Sequence, residues 1–294
     1  MIIHEIPHPF SQFMRDGDIL SPNNFLLIDE KNTIYRNGVK INIQLDIKYP
    51  IVRIISDDYF LLIDGDNDKV KNNAWIIHTN GTIENSFYIG QATNVILTKS
   101  NLIVAYSESS LDTDRMFRNN HISKERYKKD VSSEGLAVFD FQGNCLFKYM
   151  TDAKDPEFIP FIEICSFLKK DEDNIYLLAR LFTRGIAILE FNSKNYTMKN
   201  ILNIPEIFDY DLPKAMTKKN DDWYFLATNP NYIEIEEGNF NSLKSYLFKL
   251  DKMLLIEKIG ECCFSNKMHG NNDGSFSVPL SIKNDDQNSC FIKI

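Results

Sequence analysis

Carboxylate and side-chain amide groups carry the first chemistry to consider: Asp16, Asp18, Asp46, Gln91, Asn94, Glu157, Glu163, Asp209 and Asp211. Oxygen donors of this kind hold a hard cation such as Ca²⁺ once a fold gathers several of them around one point. Asp18, Asn94, Glu163 and Asp211 form the candidate ligand set, and with them Ca²⁺ or another divalent ion is the conceivable cofactor. A second group of residues suits recognition. Arg115, Phe117, Arg118, Arg126 and Tyr127 fall within Glu108–Glu134, beside Lys124, Lys128, Lys129 and His121, while Tyr232, Glu236 and Phe240 fall within Asn229–Lys244 beside Glu234 and Glu237. Arginine and aromatic residues in a polar frame are the usual energetic anchors of a protein interface. The remaining reactive types offer less. No two of His4, His8, His78, His121 and His269 keep helical zinc spacing, because Pro7 and Pro9 break the one i, i+4 pair, so ordinary hydrogen bonds are expected for all five. Cys145, Cys165, Cys262, Cys263 and Cys290 are odd in number and lack a C-x-x-C pair, which reads as free, mostly buried thiols. Neither a G-x-S-x-G elbow nor a glycine-rich phosphate loop occurs.

The elements that must position these groups repeat along the chain. An apolar run follows a turn-forming cluster at Phe25–Asp29, Tyr59–Asp64, Leu102–Ser107, Ile175–Arg180, Trp223–Thr228 and Phe276–Ser281. Asn37-Gly38 and Asn80-Gly81 are hairpin signals with both central residues expected at positive φ, and Gln142 to Asn144, Asn192 to Asn195 and Asp251-Lys252 mark equivalent turns. Short strands at even spacing with a turn pair in each unit predict an all-β fold, a six-bladed β-propeller of four-stranded antiparallel blades in one domain, 1–294. The expected blades are 18–45, 51–90, 94–150, 161–202, 212–260 and 262–294. The last has only three strands, Cys262–Met268, Phe276–Ser281 and Ser289–Ile294, and Met1–Ile6 is expected to complete it and close the ring. Helix is expected nowhere except around Asp112–Lys129 and Pro205–Phe208.

With strands named A to D from the axis outward, A–B and C–D turns emerge at one end of the blades, and B–C turns and D–A links at the other. The long connections Gly65–Asn73, Glu108–Glu134 and Asn229–Lys244 are all B–C, so they share one face, the expected working side. Glu108–Glu134 is expected to be the most mobile or most exposed segment of the protein. The nominated oxygen ligands sit near the starts of A strands. In that arrangement they resemble, in architecture alone, the acidic and amide ring of lactonase and gluconolactonase propellers, and the resemblance implies a metal-dependent hydrolase with its site at the channel mouth. The segment Asn271 to Phe276 lacks the spacing and the Trp of a sialidase Asp-box and reads as an A–B turn.

A net charge of −8 argues against a general affinity for nucleic acid, leaving only a local basic segment for such contacts, and no apolar run is long enough to span a membrane as a helix. Without a leader-like N-terminus the chain is expected to be cytoplasmic and monomeric. The function expected on these grounds is non-enzymatic: a propeller that binds a partner protein through one elaborate face, as a bacterial sensor, scaffold or immunity factor would. The lactonase-like hydrolase is the alternative.

Overall fold

Strands B of the six units read as unbroken apolar runs because each is buried on both faces, with the same pattern of one half-buried residue followed by five buried ones in the first three. A computed structural model describes residues 2–6, 14–65, 72–106, 130–154, 158–182, 185–204, 213–228, 244–263, 269–283 and 286–294. It contains six four-stranded antiparallel sheets arranged as a propeller. The N-terminal strand β1 (Ile2–Ile6) is followed by blade one, β2 (Met14–Ser21), β3 (Asn24–Asp29), β4 (Ile34–Arg36) and β5 (Val39–Ile41). Blade two is β6 (Pro50–Ile54), β7 (Tyr59–Asp64), β8 (Ala74–His78) and β9 (Ile83–Phe87). Blade three is β10 (Ala92–Leu97), β11 (Asn101–Tyr106), β12 (Leu136–Asp140) and β13 (Cys145–Lys148). Blade four is β14 (Phe161–Lys169), β15 (Asn174–Leu181), β16 (Ile186–Asn192) and β17 (Thr197–Ile204). Blade five is β18 (Pro213–Lys219), β19 (Asp222–Thr228), β20 (Lys244–Leu250) and β21 (Ile256–Cys263). The last sheet joins β22 (His269–Gly270), β23 (Ser275–Lys283) and β24 (Asp286–Lys293) to β1, in the order β1-β24-β23-β22. In this sheet Ile2 lies opposite Lys293 and Ile6 opposite Ser289, so strands from the two ends of the chain are neighbours.

The final blade departs from the sequence reading at its inner strand. Cys262 and Cys263 continue β21 of blade five, opposite Ser245 and Lys244, so Cys262–Met268 is not the inner strand of the last blade. That role falls to His269–Gly270, which packs so closely on blade five that a Cβ on Gly270 would lie 1.5 Å from the Met216 carbonyl oxygen. The hairpin signals also divide. Asn37 and Gly38 both take positive φ (51° and 82°), as a two-residue turn demands, but at Asn80-Gly81 only Gly81 does (95°). There Gly81 N donates to the His78 carbonyl and the register slips between Ile76 and Ile77, giving a longer turn with a bulge. Of the thiols, Cys145 is exposed rather than buried and Cys165 half-buried. The proposed helical stretches Asp112–Lys129 and Pro205–Phe208 lie outside the described residues.

Packing between blades supplies the core. Leu26, Val52 and Phe60 lie in the cluster between blades one and two, Leu61, Val104 and Phe139 between two and three, and Ile103, Phe161 and Leu177 between three and four. Leu178 and Phe225 join blade four to five, and Leu226, Phe276 and Ile292 join five to six. Each such side chain, removed wholly from water, stabilises the ring by roughly 1.5–3 kcal/mol before entropy is counted. The junction of blade six with blade one adds polar ties: Ser277 Oγ and Asn271 Nδ2 both donate to the Ile19 carbonyl, at 2.6 and 3.4 Å.

Candidate functional site

Inner strands bring a polar cluster to the axis from four blades. Asp16 on β2, Arg53 on β6, Asn94 on β10 and His269 on β22 are far apart in sequence and meet because every A strand lines the channel. Arg53 is the one charged residue in the strand Pro50–Ile54, and its side chain is 9% exposed beside an Asp16 that is 1% exposed. Its Nη1 donates to Asp16 Oδ2 at 3.1 Å and to the Val52 carbonyl, Nε donates to the Val95 carbonyl at 3.0 Å, and Nη2 donates to Asn94 Oδ1 at 3.0 Å. Asp16 Oδ2 also accepts from Val52 N at 2.8 Å, and Asp18 Oδ2 accepts from Ile54 N at 2.8 Å. Two aspartates on β2 thereby clamp the backbone of β6. A buried ion pair of this kind is held by its hydrogen bonds as much as by Coulomb attraction.

His269 completes the cluster without joining its hydrogen bonds. Its Nε2 lies 3.6 Å from Asp16 Oδ1 and is buried with no hydrogen-bond partner among the described residues, although 18% of the side chain stays accessible. Burial and the nearby Arg53 charge push its pKa below 6.5, and Asp16 and Asp18 pull upward without reversing that. The imidazole is accordingly neutral at pH 7. Of the histidines expected to make ordinary hydrogen bonds, His78 does so, its Nδ1 accepting from Asn80 N at 3.1 Å.

Above this cluster lies a cavity of about 450 Å³. Asp18, Arg53, Asn94, Lys169, His269 and Asn271 give it polar walls, and Leu20, Ile54, Leu97 and Phe167 give it apolar ones. Its lining runs along the far halves of the A strands into the A–B turn Asn271–Asp273. The cavity therefore sits at the A–B end of the channel, opposite the face that carries the long B–C connections.

Of the nominated metal ligands, Asp18 and Asn94 both line this cavity, but each is already engaged: Asp18 Oδ2 by Ile54 N, and Asn94 Oδ1 by Arg53 and by Val95 N at 2.8 Å. Glu163, which does not line it, faces Arg180 at 3.5 Å. Among the described residues no group of three or more His, Cys, Asp or Glu side chains is placed to hold a metal. Asp211 and the whole candidate partner set, Arg115, Phe117, Arg118, Arg126, Tyr127, Tyr232, Glu236 and Phe240, lie outside the described residues.

The roots of the long B–C connections of blades two and three are described, and they are tightly built. Asn73, fully buried, closes the connection after β7: its Nδ2 donates to the Asp64 and Gly90 carbonyls at 2.9 and 2.7 Å, and its Oδ1 accepts from Ile89 N. Blade two's B–C connection is thus stapled to the D–A link that follows the blade. At the end of the longest connection, Asp130 caps a short 3-10 turn, Val131–Glu134, and accepts from Tyr88 Oη. Burial opposes ionisation of Asp130, but hydrogen bonds from Ser132 and Tyr88 outweigh it and lower the pKa. Ser132 Oγ accepts from Gln91 N, and Gly90, at φ 80°, leaves room for it: a Cβ there would lie 2.6 Å from Ser132 Oγ. Glu134, 8% exposed, accepts from Thr151 N and Oγ1 at 2.9 and 2.7 Å. The C-terminal end of Glu108–Glu134 is a buried anchor, and the rest of that segment lies outside the described residues.

Neither a protein-family profile nor a curated relative matches the chain. Solved structures do, in shape. The β-propeller domain of Myceliophteria thermophila Cps50 (Swd1) aligns at a TM-score of 0.53 and 9% identity over 100% of both chains. A structural genomics protein of unknown function from Bacteroides thetaiotaomicron aligns at 0.51 and 8% identity, over 99% of this chain and 72% of that one. A putative 6-phosphogluconolactonase from Bacteroides uniformis aligns at 0.39 with 13% identity, over 81% and 64% of the two chains, which is too weak a match to carry the lactonase resemblance further. The six four-stranded sheets define a six-bladed β-propeller, and the Cps50 domain is likewise a β-propeller by name. At these identities the likeness extends to the fold alone.

Proposed function

We propose that this chain is a non-enzymatic recognition propeller that engages a protein partner through its B–C face, with segment 108–134, whose stretch 115–129 is basic and aromatic, and the acidic and aromatic segment 229–244 as the contact elements. The observation that carries this reading is the construction of the loop roots. Asn73, Asp130 and Glu134 are locked to the D–A links on the same face, so the connections of blades two and three, the segment 108–134 among them, spring from a fixed base. A rigid base lowers the ordering cost of a binding loop and is the usual way a scaffold mounts recognition. Within the first segment the stretch 115–129 carries six Lys or Arg against one Glu, and 229–244 carries three Glu against one Lys, an opposition that favours a partner with a matching charge pattern and steers its approach.

Reversing Arg115, Arg118 and Arg126 to Glu together tests the reading. The triple variant should keep the thermal unfolding profile of the parent and lose the partner that the parent retains on an affinity matrix, with the loss largest at low salt. Full retention of that partner would refute the assignment of the basic segment.

A further inference from the structure

The cavity at the A–B end lies across the molecule from the proposed partner face, and its chemistry is independent of that face. Donor counting identifies one side of it. A guanidinium has five N–H groups; four of those of Arg53 go to Asp16, Val52, Val95 and Asn94, and one Nη2 N–H is left on the cavity wall. The Asn94 oxygen is held by Arg53 and Val95 N, so its amide NH₂ is the group without a partner. Lys169 closes the same wall on β14 and makes no ion pair with any described residue. Three donors, two of them cationic, thus line adjacent blades two, three and four. Blade one supplies the opposite character: Asp18 has Oδ2 occupied by Ile54 N and leaves Oδ1 as an acceptor. Between the two lie Leu20, 45% exposed despite its size, with Ile54, Leu97 and Phe167.

We propose that this cavity binds a small zwitterion of the amino-acid or dipeptide class. Its carboxylate is held by Arg53, Asn94 and Lys169, its ammonium group by Asp18, and its apolar side chain by Leu20, Ile54, Leu97 and Phe167. A purely anionic ligand would face Asp18 unpaired, and a purely cationic one would face Arg53 and Lys169. A molecule carrying both charges satisfies both walls. The volume, about 450 Å³, suits such a ligand and lies within the range of small-molecule sites.

Titration calorimetry of the full chain with leucyl-leucine, its N-acetyl form and its C-terminal amide tests the proposal without any mutation. The free dipeptide is expected to bind, and each cap to weaken binding by about tenfold or more, since each removes one charged hydrogen-bonded contact. Two variants then locate the site. In Lys169→Gln, amidation of the ligand should matter less than in the parent; in Asp18→Asn, which keeps an acceptor for Ile54 N, acetylation should matter less. Binding of the capped forms as tight as that of the free dipeptide, or no binding up to about 10 mM, overturns the proposal. Variants that keep the parent's full sensitivity to both caps would place the ligand elsewhere and overturn it equally.

Discussion

Replacing Arg53 by Met should expose how much of the ring depends on its axial tie. Met preserves most of the apolar stem and removes the guanidinium, and with it the ion pair to an Asp16 carboxylate that is 1% exposed. The Val95 carbonyl loses the Arg53 donor at the same time, and Asn94 Oδ1 loses one of its two. Breaking one side of a buried pair costs about 3–5 kcal/mol, most of it the uncompensated charge left behind. For a domain somewhat above the 150–250-residue range, at about 2 °C per kcal/mol, the melting temperature should drop by roughly 6–10 °C. Urea denaturation of Arg53→Met, Asp16→Asn and the double variant forms the decisive cycle. The double variant removes both charges, and Asn can still accept from Val52 N, so it should be more stable than the sum of the single losses by more than about 1 kcal/mol. A single-variant loss below about 1 kcal/mol, or strict additivity, would show that the cluster is not an energetic tie.

Three further outcomes follow from particular residues. Leu254 sits at φ 63° in the exposed β20–β21 turn, and Leu254→Gly should stabilise the protein by about 0.5–1 kcal/mol in a denaturant titration; an unchanged or lower midpoint would show that the turn is unstrained. Deleting Ile2–Ile6 removes the strand paired with β24 and should lower the melting temperature and broaden the transition in scanning calorimetry, whereas an unaltered transition would mean that this pairing adds nothing to cooperativity. His269 has a folded pKa below 6.5, so the unfolded chain takes up its proton first: the stability it contributes is complete above pH 6.5 and is lost as pH falls from there through the folded pKa. His269→Gln should therefore show a shallower decline in unfolding free energy below pH 6.5 than the parent, and parallel curves for the two would contradict the assignment.

The fold was legible because strand B of a propeller blade is sandwiched between neighbours and must be apolar along its whole length, which leaves a repeated run such as Tyr59–Asp64 or Trp223–Thr228 in the sequence. The inner strand of the last blade was not legible. His269–Gly270 is two residues long, polar or side-chain-free, and set by a close backbone approach to Met216, none of which leaves an apolar run, while the neighbouring Cys262 and Cys263 look strand-like and belong to the previous blade. Sorting loops by strand order correctly separates short turns from long connections. It says nothing of cavities, and the channel's cavity lies at the end opposite those connections because its walls draw one or a few residues from each of five blades. Arg53 had one local signal, a lone charge inside the apolar strand Pro50–Ile54, and a buried Arg of that kind implies a carboxylate partner. Nothing near Asp16 in sequence names it as that partner.

The most direct test of the recognition account is photo-crosslinking from defined points on the two faces. A benzoylphenylalanine residue in place of Phe117 or Phe240 reports on the B–C connections, and one in place of Leu254, on the exposed turn after β20, reports on the opposite end. The account predicts that the retained partner forms adducts from the first two positions and none from Leu254. Adducts from Leu254 with none from Phe117 or Phe240 would contradict it.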